Sequence, residues 1–191
     1  MKKSLIAVLA VLLLLTLSAC LAPRASSPED KRAVINSMHD ETLARLYEQN
    51  PASREIISKA AGYAVFSNVH ALYLFLGGGG GYGVAVDQSS GQRTYMKMAQ
   101  VDVGLGLGVQ DIRVVFVFHS DRAYMNFVNI GWEFGGQADA AAKAPNKGVA
   151  ATGAVSINAE TTMYTMSEAG LMAKVNLAGT KFWRDESLNI Y

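Results

Sequence analysis

The stretch of sequence that decides the fold is VDVGLGLGVQ, residues 101–110, in which large apolar residues alternate with small or polar ones. A period of two predicts a β-strand with one apolar face. The segment IRVVFVF, residues 112–118, follows at once and is apolar on both faces apart from Arg113. This second pattern is typical of a central strand that is covered on both sides.

A second glycine-rich stretch, GGGGGYGVAV, occupies residues 77–86. It does not fit a phosphate-binding loop, which needs Gly-Lys-Ser/Thr entering a helix, because Val84 to Val86 continue as a strand. Glycine within a strand marks a bulge, a sharp bend, or the close approach of a backbone or ligand. If the two stretches pair or cross, their bare faces predict either tight sheet packing or a slot for an acyl chain. The candidate lipid contacts are Gly79, Gly81, Gly83, Gly104, Gly106 and Gly108.

The residues before this β region predict two helices. Ser27 and Pro28 form a helix start, with a capping hydroxyl followed by proline at the first helical position. An apolar stripe then recurs at helical spacing, Asn50-Pro51 separates the helices, and Gly62 is the predicted end of the second. An acidic line lies opposite the stripe, which favours a solvated outer face over a lipid-binding one. It consists of Asp30, Glu41 and Glu48.

The remaining elements are short. Strands are predicted at 63–66, 71–76, 82–86, 132–137, 149–158, 161–166 and 171–177, with a turn at 87–91. Ser120 and Gly131 bound a short helix between them. The fold class is therefore α+β, with N-terminal helices packed on a curled, largely antiparallel and barrel-like sheet.

The N-terminus has the features of an export signal. Lys2 and Lys3 precede an apolar run that is too short to span a bilayer, and the run ends in Leu17-Ser18-Ala19-Cys20. This tetrapeptide matches a bacterial lipobox, which predicts cleavage before Cys20 and attachment of fatty acyl groups such as palmitate. A plain cleaved signal is the alternative. Because Leu21 rather than Asp follows Cys20, the general sorting pattern of bacterial lipoproteins favours the outer membrane, on either its periplasmic face or the cell surface.

These boundaries predict a leader at 1–19, a lipidated tether at 20–27 and one domain at 28–191, helical over 28–61 and mainly β over 62–191. Cleavage leaves 172 of 191 residues, enough for one substantial core. Loss of Lys2 and Lys3 changes the formal net charge from +1 to −1. A nearly neutral domain lacks the basic surface that nucleic-acid binding requires. The membrane is thus the expected partner.

Catalytic patterns are weak. No histidine among His39, His70 and His119 has a partner at metal-site spacing, and no serine lies in a nucleophile elbow. The one cysteine is assigned to the anchor. We therefore expect no enzyme and no cofactor, and a hydrolase would require Asp102, Glu133 or His119 to converge in a cleft.

A further pattern is carried by seven segments, at 59–69, 77–83, 104–110, 112–118, 137–140, 163–166 and 170–173. Together they resemble the SYLF domain family, whose members include bacterial envelope lipoproteins and eukaryotic phosphoinositide- and actin-associated proteins. The resemblance implies a lipid-binding, non-enzymatic domain. Family members that bind phosphoinositides carry a basic N-terminal helix, whereas the acidic line is central here, and the usual Phe-Pro-Asn is Phe66-Ser67-Asn68. Actin binding, a property of the eukaryotic relatives, is not carried over.

Two functions follow as expectations. The first is an envelope lipoprotein whose domain binds phospholipid or another apolar ligand at the glycine-lined strands. The second is a structural or protein-interaction module of the outer membrane, which its anchor only localises and which docks an envelope protein.

Overall fold

The computed structural model describes residues 27–134, 154–167, 170–172, 177 and 179–190. The predicted leader, the lipobox with Cys20 and the tether up to residue 26 lie outside them. So do residues 135–153, which include the end of one predicted strand and the start of another. Along the strands, side chains are not described at 69–77 and 102–110.

Three α-helices are described. Helix α1 spans Pro28–Gln49, α2 spans Ala52–Ser58 and α3 spans Asp121–Ile130. The predicted caps are confirmed for α1 and α3: Ser27 Oγ accepts from the Asp30 amide, and Gly131 ends α3 with a φ of 81°. Gly62 was wrongly predicted as the end of α2, which stops at Ser58. Gly62 begins the sheet, and a Cβ there would overlap the Tyr124 ring.

Two strands of 26 residues each dominate the sheet. Strand β1 spans Gly62–Asp87 and β2 spans Arg93–Phe118, and they form one antiparallel hairpin around the confirmed turn. The separate short strands predicted in this region are wrong, because pairing continues through both glycine stretches. The period-two pattern was interrupted by glycine, but backbone hydrogen bonds do not need side chains.

The long hairpin is bent back on itself. A straight strand of this length would extend about 86 Å at 3.3 Å per residue. Instead the Gln88 amide, just beyond β1, donates to the Ala61 carbonyl, just before it, at 3.0 Å. The register shifts between Leu74 and Leu76, and such irregularities bend strands. The result is a strongly curled sheet that forms a half-barrel, which confirms the α+β prediction.

Shorter strands extend this half-barrel. They are β3 (Trp132–Phe134), β4 (Ala154–Asn158), β5 (Thr161–Ser167), β6 (Gly170–Met172) and β7 (Thr180–Arg184). The free edge of β2 binds β7 along residues 96–100 and β5 along residues 113–118. A 3₁₀ turn, Glu186–Leu188, follows β7. Neither β7 nor this turn was predicted from the sequence.

Both faces of the sheet are buried. One face packs on the apolar stripe of α1, where Ile35 and Leu46 are fully buried, while Asp30, Glu41 and Glu48 stay exposed as predicted. The other face packs on α3 through a cluster of aromatic rings. Its centroid separations include 4.9 Å for Phe66–Phe182 and 4.9 Å for Phe118–Phe127. The Phe66–Phe182 pair is edge-to-face, and such a pair adds to the stabilisation that comes from burial of apolar area.

The C-terminal residues are fastened to the N-terminal helix and to β2. Arg32 donates from Nε to the Leu188 carbonyl at 2.9 Å and from Nη2 to the Ile190 carbonyl at 3.3 Å. Asn189 satisfies both backbone groups of Tyr95, accepting from its amide at 3.0 Å and donating to its carbonyl at 2.8 Å. These bonds hold the 3₁₀ turn against the start of α1.

Candidate functional site

A pocket of about 310 Å³ lies where α1, the glycine run of β1 and the C-terminal turn meet. Four chain segments form its walls, and apolar groups make up most of the surface. Its lining residues are Lys31, Ile35, Gly79, Gly80, Gly81, Tyr82, Lys97, Met98, Ala99, Trp183, Asp185, Ser187 and Leu188. A concave, mainly apolar site with a few polar groups is typical of ligand binding.

The pairing of three strands positions one wall. Tyr82 lies opposite Lys97 in the β1–β2 ladder, and Lys97 lies opposite Trp183 in the β2–β7 ladder. Side chains at directly paired positions point to the same face of a sheet, so these three form a row. Gly80, two residues before Tyr82, contributes no side chain to this face, which leaves the pocket open beside the ring.

A salt bridge fixes the polar end of the row. Lys97 Nζ lies 3.0 Å from Asp185 Oδ1, and the Asp185 side chain is only 8% exposed. The same carboxylate oxygen accepts from the Ser187 amide at 3.0 Å and the Ser187 hydroxyl at 2.6 Å. A carboxylate with three donors is well satisfied, so it caps the 3₁₀ turn and orients Lys97.

Lys31 supplies a second positive charge at the pocket. It lies in the first turn of α1, and its ammonium group makes no hydrogen bond or ion pair with a described residue. The nearby Arg32 is instead used on backbone carbonyls, and Arg45 donates to the Ser167 carbonyl at 3.0 Å. Of these basic residues beside the apolar stripe, Lys31 is therefore the one that lines this pocket without a described partner.

The six predicted glycine contacts divide into different environments. Gly79 and Gly81 line the pocket. At Gly81 and Gly83, residues near the start of β1 lie directly against the position that a side chain would occupy. A Cβ at Gly81 would overlap the Ser67 carbonyl, and one at Gly83 would overlap the Val65 carbonyl and the Phe66 ring. Their missing side chains thus permit two parts of one strand to cross.

The second glycine stretch lies elsewhere on the hairpin. Gly106 pairs with Leu74 and Gly108 with Leu72, whereas the Gly77–Gly81 run pairs with residues 98–102. The two glycine stretches are therefore on neighbouring strands but not opposite each other, and they form no single bare face. Gly104 lies close to the register shift. Lipid contact at Gly104, Gly106 and Gly108 stays a prediction.

Two of the three residues considered for hydrolysis have separate partners. Glu133 pairs with Lys181 at 3.0 Å on the β3–β7 side of the sheet. His119 Nε2 lies 2.8 Å from Thr162 Oγ1 on the β5 side. The Asp102 side chain is not described. Within the described ranges no three His, Cys, Asp or Glu side chains are grouped as metal ligands would be.

Comparison with known proteins decides the family. The family model described as "Ysc84: Las17-binding protein actin regulator" matches residues 99–190. The chain is also 31% identical over 160 residues to Beta cell expansion factor A of Aeromonas veronii, an alignment that covers 84% of this chain and 59% of that protein. A Ysc84, or SYLF, domain therefore covers residues 99–190.

This match confirms the resemblance and classifies the SYLF domain as a binding domain for lipid or protein. The matched segment contains the β7 and 3₁₀-turn walls of the pocket and Ala99 of β2, while Lys31, the Gly79–Gly81 wall and Lys97 precede it. No helix in the part of the chain that the structure describes is long and apolar enough to cross a bilayer.

A buried histidine in the SYLF domain predicts a pH-dependent stability. His39 is 3% exposed, with Nδ1 at 2.7 Å from Asp40 Oδ1 and Nε2 at 3.1 Å from the Tyr63 hydroxyl. A carboxylate only accepts, so Nδ1 donates and Nε2 accepts from Tyr63 in the neutral ring. Burial lowers the pKa of His39 from 6.5, which the Asp40 bond only partly opposes.

Because the unfolded histidine gains a proton below about pH 6.5 while folded His39 stays neutral, stability is expected to fall from pH 7 to pH 5.5. Thermal unfolding of the wild type and of His39→Gln would measure this. The variant should have a lower Tm throughout but a flatter dependence on pH. Equal slopes for the two proteins would contradict the assignment.

Proposed function

We propose that this chain is a lipid-anchored protein of the bacterial outer membrane, held by acylated Cys20, whose SYLF domain binds phospholipid without catalysis. The observation that carries the proposal is the apolar pocket against Gly79–Gly81. Because glycine has no side chain, this wall leaves space that a flat or flexible apolar group could occupy. The family supports the binding role, and the N-terminal sequence supports the location.

The pocket lies close to the predicted anchor along the chain. Lys31 is 11 residues after Cys20, and four of these residues already belong to α1. The seven residues from 21 to 27 can extend at most about 25 Å. A domain on such a short tether stays near the lipid headgroups, which raises the local concentration of any phospholipid ligand.

Flotation with vesicles tests phospholipid binding directly. The chain with Cys20→Ala, which carries no acyl group, is mixed with phosphatidylcholine vesicles or with vesicles that also contain phosphatidylglycerol. We expect it to float with the vesicles, and with little dependence on anionic lipid because the domain is nearly neutral. The protein without vesicles gives the baseline. Failure to float with either composition would overturn direct binding to a bilayer.

A protein-interaction role is the second candidate. It is favoured by the family description, which names a protein ligand, and by exposed apolar residues on α3, where Met125 is 48% and Ile130 is 80% exposed. Crosslinking in intact cells would distinguish the two functions. One protein recovered in stoichiometric amount, together with no vesicle binding, would favour this candidate.

A further inference from the structure

The charged groups of the pocket restrict its ligands more than a general apolar surface would. Its charged groups are two lysines and one well-satisfied carboxylate, which leave a net charge of +1. Asp185 already neutralises Lys97, so the uncompensated charge belongs to Lys31. A ligand that completes this site carries one negative charge near Lys31 and an apolar body against Ile35, Leu188 and the glycine run.

The size of the pocket restricts the apolar body. At about 310 Å³ it lies at the lower end of the range of about 300–1,000 Å³ for small-molecule sites. It therefore accommodates one hydrocarbon chain of moderate length. Trp183 and Tyr82 provide large apolar surface along one wall, and Ile35 is 1% exposed, so its contribution to the wall is fixed by the core.

We infer that the pocket binds one single-chain fatty carboxylate, with its carboxylate on Lys31 and its chain between Trp183, Leu188 and Gly79–Gly81. A monoanion matches the unbalanced charge, whereas a phosphate dianion would leave a negative charge without a partner in a mostly apolar site. The inference rests on the proposed function only in taking the domain to bind apolar ligands. It names a discrete ligand that is separate from a bilayer surface.

Calorimetric titration with decanoate tests the inference, using the Cys20→Ala chain so that no covalent acyl group competes. Decan-1-ol has the same chain length without the charge. We expect decanoate to bind with one-to-one stoichiometry and decan-1-ol to bind about tenfold more weakly, because a hydrogen bond to a charged group is lost. Equal affinity for the two compounds would overturn the role of the charge.

Two variants locate the ligand. Lys31→Gln should weaken decanoate binding about tenfold and change decan-1-ol binding less than twofold, and Lys59→Gln, at an exposed lysine far along the helical region, should change neither. Ala99→Phe places a ring into the pocket and should abolish both, whereas Ala44→Phe, on the exposed side of α1, should not. Unchanged binding by both pocket variants would overturn the site.

The results separate this inference from the proposed function. A chain that floats with vesicles but does not bind decanoate refutes the pocket ligand alone. A chain that binds decanoate but does not float refutes bilayer binding alone. Since Lys31 has no partner among the described residues, Lys31→Gln should fold normally and remains informative even if Ala99→Phe does not fold.

Discussion

Gly83→Ala is expected to destabilise the SYLF domain by about 3 kcal/mol or more, because the new Cβ would overlap the Val65 carbonyl and the Phe66 ring. Neither neighbour can move easily. Val65 is fully buried in the paired part of β1, and the Phe66 ring lies among Phe116, Phe127 and Phe182. In a domain of this size the loss corresponds to a fall in Tm of about 6–12 °C.

Gly78→Ala provides the matched control. It adds the same methyl group to the same glycine run, but its Cβ would meet only the Gln100 carbonyl at an ordinary 3.5 Å. It should leave the stability within about 1 kcal/mol and can raise it, because alanine restricts the unfolded chain. Denaturant unfolding of the two variants measures the difference. Similar unfolding midpoints would show that the crossing of β1 does not depend on glycine.

Cys20→Ala is expected to move the protein from the membrane fraction to the soluble fraction of the envelope. Stable attachment requires more than one acyl chain, and the variant has lost the residue that would carry them. Fractionation after cell lysis, followed by immunoblotting, would measure the shift, which should be nearly complete.

Intact-mass analysis supplies the control for this experiment. The wild type should have the mass of the chain from residue 20 plus acyl groups. A variant that stays in the membrane with residues 1–19 removed would point to affinity of the domain itself, whereas a wild type without acyl groups would contradict the lipobox assignment.

The helices of this domain could be predicted because their signals are local. The capping residues Ser27, Ser120 and Gly131 bond to backbone groups within about one turn of helix. Both partners of each capping bond are therefore close together in the sequence. The hairpin could be predicted only in part. Its turn could be predicted from the residues of the turn itself. The length of β1 and β2, however, depends on pairing between residues up to 56 positions apart. In addition, the glycine run lacks the alternation of apolar and polar side chains on which strand prediction relies.

The pocket itself could not be predicted. The sequence indicated a glycine-lined slot, yet it could not show that Gly81 and Gly83 face the same strand's own backbone or that the two stretches are out of register. β7 was missed, although Thr180 and Phe182 alternate with Lys181 as a half-buried strand does. Because β7 and the turn after it were not predicted, the sequence did not indicate that Trp183 and Asp185 lie beside Lys97 and Lys31.

Arg32 links the two ends of the domain across 156 residues, and this has a consequence for biogenesis. Lys31 and Leu188 both line the cavity but lie far apart in the chain, so the cavity cannot assemble until the chain has been synthesised through β7 and the 3₁₀ turn. A proteolytic cut between β7 and this turn would release one wall of the cavity and leave the pairing of β1 with β2 intact.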